Sequence, residues 1–506
     1  MDVRRVEWGN CDEAKRRMWT HWPMNVAGTW VPQVHRVCPH NEVAALVVRV
    51  LGQVPDEVFA DSVGDQFLAF GSRISNLART FGQEPWSLER TANSYSGALG
   101  RRYVEAYKSL ETWPLDIASD GRLDCFLKAE KCNPVKKWPK PRTIFPRSPR
   151  YNLAIASRLK PFEHWLWHKL TAANMGLHFA TGRLCAKGLN QRQRAALVRE
   201  KMARGWWAVE VDGKAFEAHV GPAQLKVEHS VYRSAYPRDR LLPKLLEQQK
   251  VLKGRMPCGA KFSRKGGRAS GDFNTGMGNS LVMLCVVYSV MHDFEKWDTL
   301  VDGDNALIFV PPDMVGRLGE VVRYRSIDSC GQELTVERPT NVFEEVVFGQ
   351  SSPVWFPDGW RFVRNPFKAL SGMTSSHAWL HEPKFRREYL AGVAQCELSV
   401  AQGQPLLQAA CLRILRATGD IKVRDHVAFR DYAYLGITPR QGLKAVPIHP
   451  RTRLSFEKAF GVPAQQQVLI EQQLSESFIH PFDVEYDHLL GVPSGYDAIP
   501  GLPTDL

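Results

Sequence analysis

The turn Val301-Asp302-Gly303-Asp304-Asn305-Ala306 joins two apolar runs and carries residue types that hold divalent cations. Two strands joined by a tight Gly/Asp/Asn turn predict a hairpin with Asp304 at its tip, facing a cleft. About ninety residues upstream, the apolar strand Trp206–Val211 ends in Asp212. Two strand-end aspartates that converge can hold two Mg²⁺ ions for phosphoryl transfer.

Other segments suit the same chemistry. Asp212 and Glu217 are five residues apart, and a turn between them lets Glu217 point back into the cleft. Ala269 to Asn279 is rich in glycine, bears Ser270, Asn274 and Thr275, and runs straight into the apolar stretch Leu281–Met291. Its small residues permit close approach to a ligand, and its hydroxyl and amide groups suit a ribose. From Lys128 to Lys160 ten Lys/Arg stand against one acid, Glu130, among five prolines. The prolines predict an extended or looped course. The cations suit triphosphate and nucleic-acid backbone, with Lys128, Lys136, Lys137, Lys140, Arg147 and Arg150 as candidates for the latter. Arg142 is the best single phosphate candidate, because a guanidinium binds bidentately. Phe348-Gly349-Gln350 precedes a predicted hairpin, Val354 to Val363, turning at Pro357-Asp358-Gly359.

These residues need elements to position them. Residues 1–120 read as mostly helical, with Ser87 to Leu110 as one long amphipathic helix or two short ones. Residues 205–350 mix short apolar strands with helices. The run Leu281–Met291 is 11 residues long, which is too short to span a bilayer and reads as a buried helix. No secretory signal is expected at the start, and any membrane attachment is expected to come from elsewhere. A chain of 506 residues suggests about three domains, and 44% hydrophobic residues allow a large core. The net charge of +13 favours a polyanionic partner. Ten cysteines without a C-x-x-C pair suit a reducing compartment. His35, Cys38 and His40 sit close together, but no second pair stands at zinc-finger spacing. From Ala459 onward there are seven acids and no Lys or Arg, which reads as a solvated, disordered end.

The order of these segments is informative as a whole. A basic loop, Asp-x4-Glu, Ser-Gly-x3-Thr-x3-Asn before a helix, and Gly-Asp-Asn in a hairpin resemble motifs F, A, B and C of viral RNA-dependent RNA polymerases. The finer text resembles the tombusvirus-like branch: Phe126–Lys131, Pro141–Asn152, Leu159–His164, Phe216–Val220 and Ser270–Thr275. The resemblance covers roughly residues 85–375. It implies an α+β right hand of fingers, palm and thumb, the palm an antiparallel sheet backed by helices. Residues 1–204 would form an N-terminal extension and fingers, with the motif F loop at 126–164. Residues 205–350 would form the palm with an inserted fingers segment, and 351–506 the motif E hairpin and thumb with an acidic tail. The implied reaction joins a nucleoside triphosphate to an RNA 3′-hydroxyl on an RNA template, with two Mg²⁺ ions. Asp212 and Asp304 map onto the metal-binding aspartates, and Lys131 and Arg142 onto basic residues near the triphosphate. Glu217, Ser270, Thr275 and Asn274 map onto the group that senses the ribose 2′-hydroxyl. Phe348 and Gln350 belong to the strand-end hairpin. Implied partners are RNA template and product, NTPs, other viral replicase proteins and host factors. The implied location is the host cytoplasm, in membrane-associated replication complexes through a separate anchor.

The chain departs from the common pattern at three places. Asn305 replaces the second Asp of Gly-Asp-Asp; it can offer a carbonyl oxygen, but the site loses a negative charge, which predicts weaker Mg²⁺ binding and a relative gain with Mn²⁺. Asp302, two residues before Asp304, could restore that charge. Glu217 replaces the usual aspartate. Thr335, in Gln332–Glu337, occupies the slot where the family often has a lysine that protonates pyrophosphate, and a threonine hydroxyl is too weak an acid for that task. A polymerase-like RNA-binding subunit with lost catalysis would account for Asn305 and Thr335, but not for the retention of Asp212, Arg142, Asn274 and Asp304. A reverse transcriptase would share the palm and metals; Gly-Asp-Asn and the Ser-Gly-x3-Thr-x3-Asn loop fit it less well.

Overall fold

The computed structural model describes residues 1–9, 16–51, 62–135, 139–433 and 435–476, and the backbone of the strand Leu490–Val492. Lys136, Lys137 and the acids of the tail beyond Glu476 lie outside the described residues. The architecture mixes helices and sheets throughout, in keeping with the expected α+β class.

At its centre is a four-stranded antiparallel sheet. Strand Trp207–Gly213 lies between Leu334–Val336 and Asn305–Val310, and Asp298–Asp302 completes the sheet beyond the latter. Period-two alternation gives this sheet two different faces. Val209, Val211, Val301, Ala306 and Ile308 bury one face against the helix Thr275–Met291. That helix is apolar nearly all round, and 14 of its 17 residues are buried, as expected of a helix enclosed by a core. The other face is only partly covered. Ala208, Leu300, Leu307 and Phe309 pack with Val198, Phe348 and Phe362 from the helix Gln191–Met202 and the hairpin region. The end of this face that carries Glu210, Asp212 and Asn305 opens onto a cleft.

The hairpin pairs Ser351–Phe356 with Gly359–Arg364, turning at Pro357-Asp358 as the sequence predicts. It leads into a helical region containing Pro383–Ala401 and Leu407–Thr418, whose apolar faces form a second core. The segment Ser87–Leu110 resolves into two helices, Leu88–Asn93 and Gly97–Thr112.

The basic stretch is only partly looped. Two short strands, Phe126–Leu127 and Thr143–Ile144, pair to close the loop between them. From Pro149 onward the chain is helical to Lys169, against the expectation of an extended course. Pro149 sits in the first turn, where its missing N–H costs nothing, and Ser148 caps that turn. Pro161 lies inside the helix and leaves the Ser157 carbonyl without its usual partner. The Trp86 N–H donates to that carbonyl at 2.8 Å, so the proline is tolerated.

Candidate active site

Asp212 and Asn305 are cross-strand partners, so their side chains share the open face. Asp302 and Asn305 close a two-residue hairpin in which Gly303 has φ +69° and Asp304 does not take a positive φ, the pattern of a type II′ turn. The turn is tied to the neighbouring strand by Gly213 N–H donating to Asp304 O at 3.0 Å. Asp304 therefore stands at the hairpin tip beside Asp212, as the sequence predicts, and both line a cleft of about 740 Å³ with Asn305, Glu210 and Arg142.

The electrostatics of this pair are those of crowded acids. Desolvation in the cleft, and then the charge of Asp304, push the Asp212 carboxyl up to about 6, against the pull of Arg142. Burial and the nearby Glu217 carboxylate raise the Asp304 carboxyl too. Two carboxylates raised by burial and by neighbouring acids, neither in an ion pair among the described residues, form a donor set that a divalent cation would relieve.

Asp302 does not restore the charge missing at Asn305. Register places it opposite Asn305, but one oxygen is 2.7 Å from Lys187 Nζ and the other 2.6 Å from Arg194. Burial opposes its ionisation, yet these two cations hold its carboxyl below the ordinary carboxylate range. Its charge is thus neutralised within the fold.

Left-handed Ala215 (φ +47°) turns the chain from the Asp212 strand into one helical turn, Phe216–His219. Glu217 consequently lines a second, smaller cavity with Arg142, Lys128, Ser270 and Arg49. Ser270 also donates to Thr143 O at 3.2 Å, which ties the Gly-rich loop to the basic loop. The glycine beside it serves the same contact: a Cβ on Gly271 would lie 2.5 Å from Phe145 O. Asn274 and Thr275 do not face this cavity. Asn274 is fully buried; its Nδ2 donates to Glu228 Oε1 at 2.8 Å and its Oδ1 accepts from Gln249 at 2.8 Å. The Thr275 hydroxyl is engaged by the carbonyls of Ala269 and Asp272, at 3.0 and 2.9 Å. Their polar groups hold the loop together.

The basic candidates divide in the same way. Arg142 faces both cavities and lies 3.6 Å from Glu130. Lys128 is 3.1 Å from Glu130, and Lys140 is exposed. Arg147 is buried and pairs with Asp272 at 2.6 Å, its guanidinium also donating to Gly121 O. Arg150 pairs with Asp120 at 3.2 Å and donates to Ser109, Trp113 O and Pro114 O. Both are engaged by internal acceptors. Lys131 donates to Gly372 O at 2.6 Å, at the end of the helix Pro366–Met373. It joins the basic loop to that helix and is not among the residues that line the cleft of Asp212.

Phe348 and Gln350 flank a tight turn. Phe348 and Ser351 exchange both backbone hydrogen bonds, at 2.8 and 3.2 Å, across Gly349 (φ +58°) and Gln350 (φ +61°). Two successive positive φ values are those of a type I′ turn. Phe348 is buried under the sheet, whereas Gly349 and Gln350 line the large cleft. Thr335 lies opposite Asp212 and donates to its carbonyl at 3.1 Å, so its hydroxyl is held by the sheet.

Two residues at the site carry no clear signal in the sequence. Arg49 sits in a π-helical turn, Leu46–Val50, and its Nε is buried without a hydrogen-bond partner among the described residues. Such turns are frequent at functional sites. Glu210 precedes Asp212 by two residues on the same strand face and lines the same cleft. Burial pushes its carboxyl up to about 7, partly offset by a hydrogen bond from Gly349 N–H. For Glu210 the alternation Glu-x-Asp was the available clue; for Arg49, inside an apolar run, there was none.

Residues 14–480 match the family profile described as viral RNA dependent RNA polymerase. The chain is 31% identical over 403 residues to the RNA-directed RNA polymerase of turnip crinkle virus, covering 77% of this chain and 50% of that protein. It is 32% identical over 453 residues to that of tomato bushy stunt virus (strain Cherry), covering 87% and 54%. For tobacco necrosis virus (strain A) the identity is 30% over 433 residues, covering 83% and 58%. The chain thus spans about half the length of the curated relatives it matches.

Proposed function

The chain belongs to the viral RNA dependent RNA polymerase family, and we propose that it joins nucleoside triphosphates to an RNA 3′-hydroxyl on an RNA template. The observation that carries this reading is the pair Asp212, near the end of the central strand, and Asp304, at the tip of the neighbouring hairpin, which line one cleft with Arg142. The reading extends to a right hand. Residues 205–350 serve as palm, 1–204 as N-terminal extension and fingers, and 351–506 as hairpin and thumb. Two Mg²⁺ ions fit the donor set, with Asp212 and Asp304 as carboxylate ligands and the Asn305 amide as a neutral one. When bound, such ions favour loss of the 3′-hydroxyl proton and offset the charge of the departing pyrophosphate.

The chain's own residues do the rest. Arg142, with Lys128 and Arg49 beside it, draws a triphosphate toward the aspartates. Glu217 and Ser270 present a carboxylate and a hydroxyl to the sugar of the bound nucleotide. The Gly349–Gln350 turn supports the end of the growing strand from across the cleft. The reading includes RNA template, RNA product and NTPs as partners. Other replicase proteins and host factors, at cytoplasmic membranes through a separate anchor, complete it. Among the described residues no helix is long and apolar enough to cross a membrane.

Incorporation of NTPs and dNTPs by the purified chain on RNA and DNA templates tests this reading. RNA-templated NTP incorporation with strong rejection of dNTPs is expected. Equal use of dNTPs would contradict it and favour a reverse transcriptase.

Asn305 makes a separate prediction. With Asp302 already neutralised, Asn305→Asp adds a negative charge that nothing else supplies. The variant is expected to raise activity in Mg²⁺ relative to Mn²⁺, measured as the ratio of initial rates. An unchanged ratio would show that Asn305 does not set metal preference.

A further inference from the structure

Glu210 connects the two halves of the proposed site. Its carboxylate projects from the strand that carries Asp212, two residues earlier and on the same face. Across the cleft, Gly349 N–H donates to Glu210 Oε1 at 3.0 Å. Gly349 opens the left-handed pair Gly349–Gln350, and a non-glycine residue such as Gln350 is strained in that conformation. The turn must therefore be held from outside. Three contacts do this: Glu210 on Gly349, the Lys368 ammonium on the Gln350 side-chain oxygen, and Asn365 N–H on Gln350 O at 3.1 Å. Of these, Glu210 alone comes from the sheet that bears the aspartates. The same strand thus fixes Asp212 and the height of the turn above it.

We propose that Glu210 is a positioning residue. It sets the Gly349–Gln350 turn, and through it the 3′-terminal nucleotide of the growing strand, in register with Asp212 and Asp304. It acts through the turn and does not touch the reacting atoms. The inference rests on the polymerase reading above and names a residue that the reading itself does not require. A charged side chain is not needed for this role; an acceptor oxygen at that height is.

The test is single-nucleotide extension of a defined RNA primer–template by the purified full chain in Mg²⁺. Glu210→Ala is expected to lower kcat on the order of tenfold to hundredfold, the cost of a small misplacement of reacting groups, with KM for NTP and Kd for RNA within about twofold. Glu210→Gln keeps an oxygen for Gly349 N–H and is expected to recover kcat to within about threefold of wild type. A residue acting only on stability would not give this split or this rescue. Lys368→Ala, at an exposed anchor of the same turn, is expected to show the same kcat-selective loss, and to be non-additive with Glu210→Ala. If Glu210→Ala does not fold, Glu210→Gln and Lys368→Ala decide by the same criteria. The inference is overturned if Glu210→Ala extends at the wild-type rate, if Glu210→Gln is as slow as Glu210→Ala, or if the losses fall on KM. An active wild type with any of these results overturns this inference alone. A wild type that incorporates nothing overturns the polymerase reading, and this inference with it.

Discussion

Asp212→Ala is expected to lower RNA synthesis by roughly a thousandfold or more, with RNA affinity little changed. Asp212 is the one aspartate that ends the central strand, where it stands opposite Asn305 and beside Asp304. Its removal would leave a single carboxylate at the tip of the hairpin, since Asp302 is bound to Lys187 and Arg194. Glu217 lines the neighbouring cavity and not the cleft that holds Asp212, although its charge is felt at Asp304. RNA affinity depends mainly on the basic residues along the cleft and should hold. The effect is read from initial rates at saturating NTP, beside a filter or gel measurement of RNA binding. A variant within tenfold of wild type would remove Asp212 from the reacting centre.

Arg268→Ala is expected to destabilise the fold by about 3–5 kcal/mol, the usual result of removing one member of a buried ion pair. Arg268 and Glu228 are both fully enclosed and in direct contact beneath the Gly-rich loop. Glu228 also accepts from Tyr232 and Asn274, at 2.7 and 2.8 Å, and Arg268 donates to Asn279 at 2.9 Å. Burial opposes the charge on Glu228, but Arg268 keeps its carboxyl below the ordinary range. Without Arg268 the carboxylate must either stay buried and unpaired or take up a proton. Gly278 is part of the same arrangement, since a Cβ there would collide with the Glu228 carboxylate. The consequence for function is indirect: the network holds the loop that carries Ser270. A lowered melting temperature is expected, with Glu228→Gln/Arg268→Met recovering part of the loss. Melting of Arg268→Ala within a degree of wild type would show that the pair contributes little.

The central sheet and the Asp302–Asn305 turn were legible in the sequence because their signals are local. Strand alternation around Val209 and Val211, the glycine at 303 and the apolar run after Asn274 each act within a few residues. The hairpin at Pro357-Asp358 was legible for the same reason. What a charge faces was not legible, because its partner is distant along the chain. Arg147 meets Asp272 across 125 residues, and Asn274 meets Glu228 across 46. Composition alone makes Arg147 and Arg150 look like RNA contacts; the fold spends them on internal carboxylates and carbonyls. Asp302 shows the limit of alternation as a guide. The register argument put it on the open face, but it could not reveal Lys187 and Arg194 above it. Arg49 reaches the site from an N-terminal segment whose apolar text gives no hint of a cleft.

The central claim is that Asp212 and Asp304 form the reacting centre of an RNA-templated polymerase. The most direct test is single-nucleotide incorporation on an RNA template by the purified chain in Mg²⁺ and in Mn²⁺, beside Asp304→Ala at equal RNA occupancy. Product from the wild type and none from Asp304→Ala is the predicted result. Equal product from both, or RNA bound tightly with no product in either metal, would contradict it.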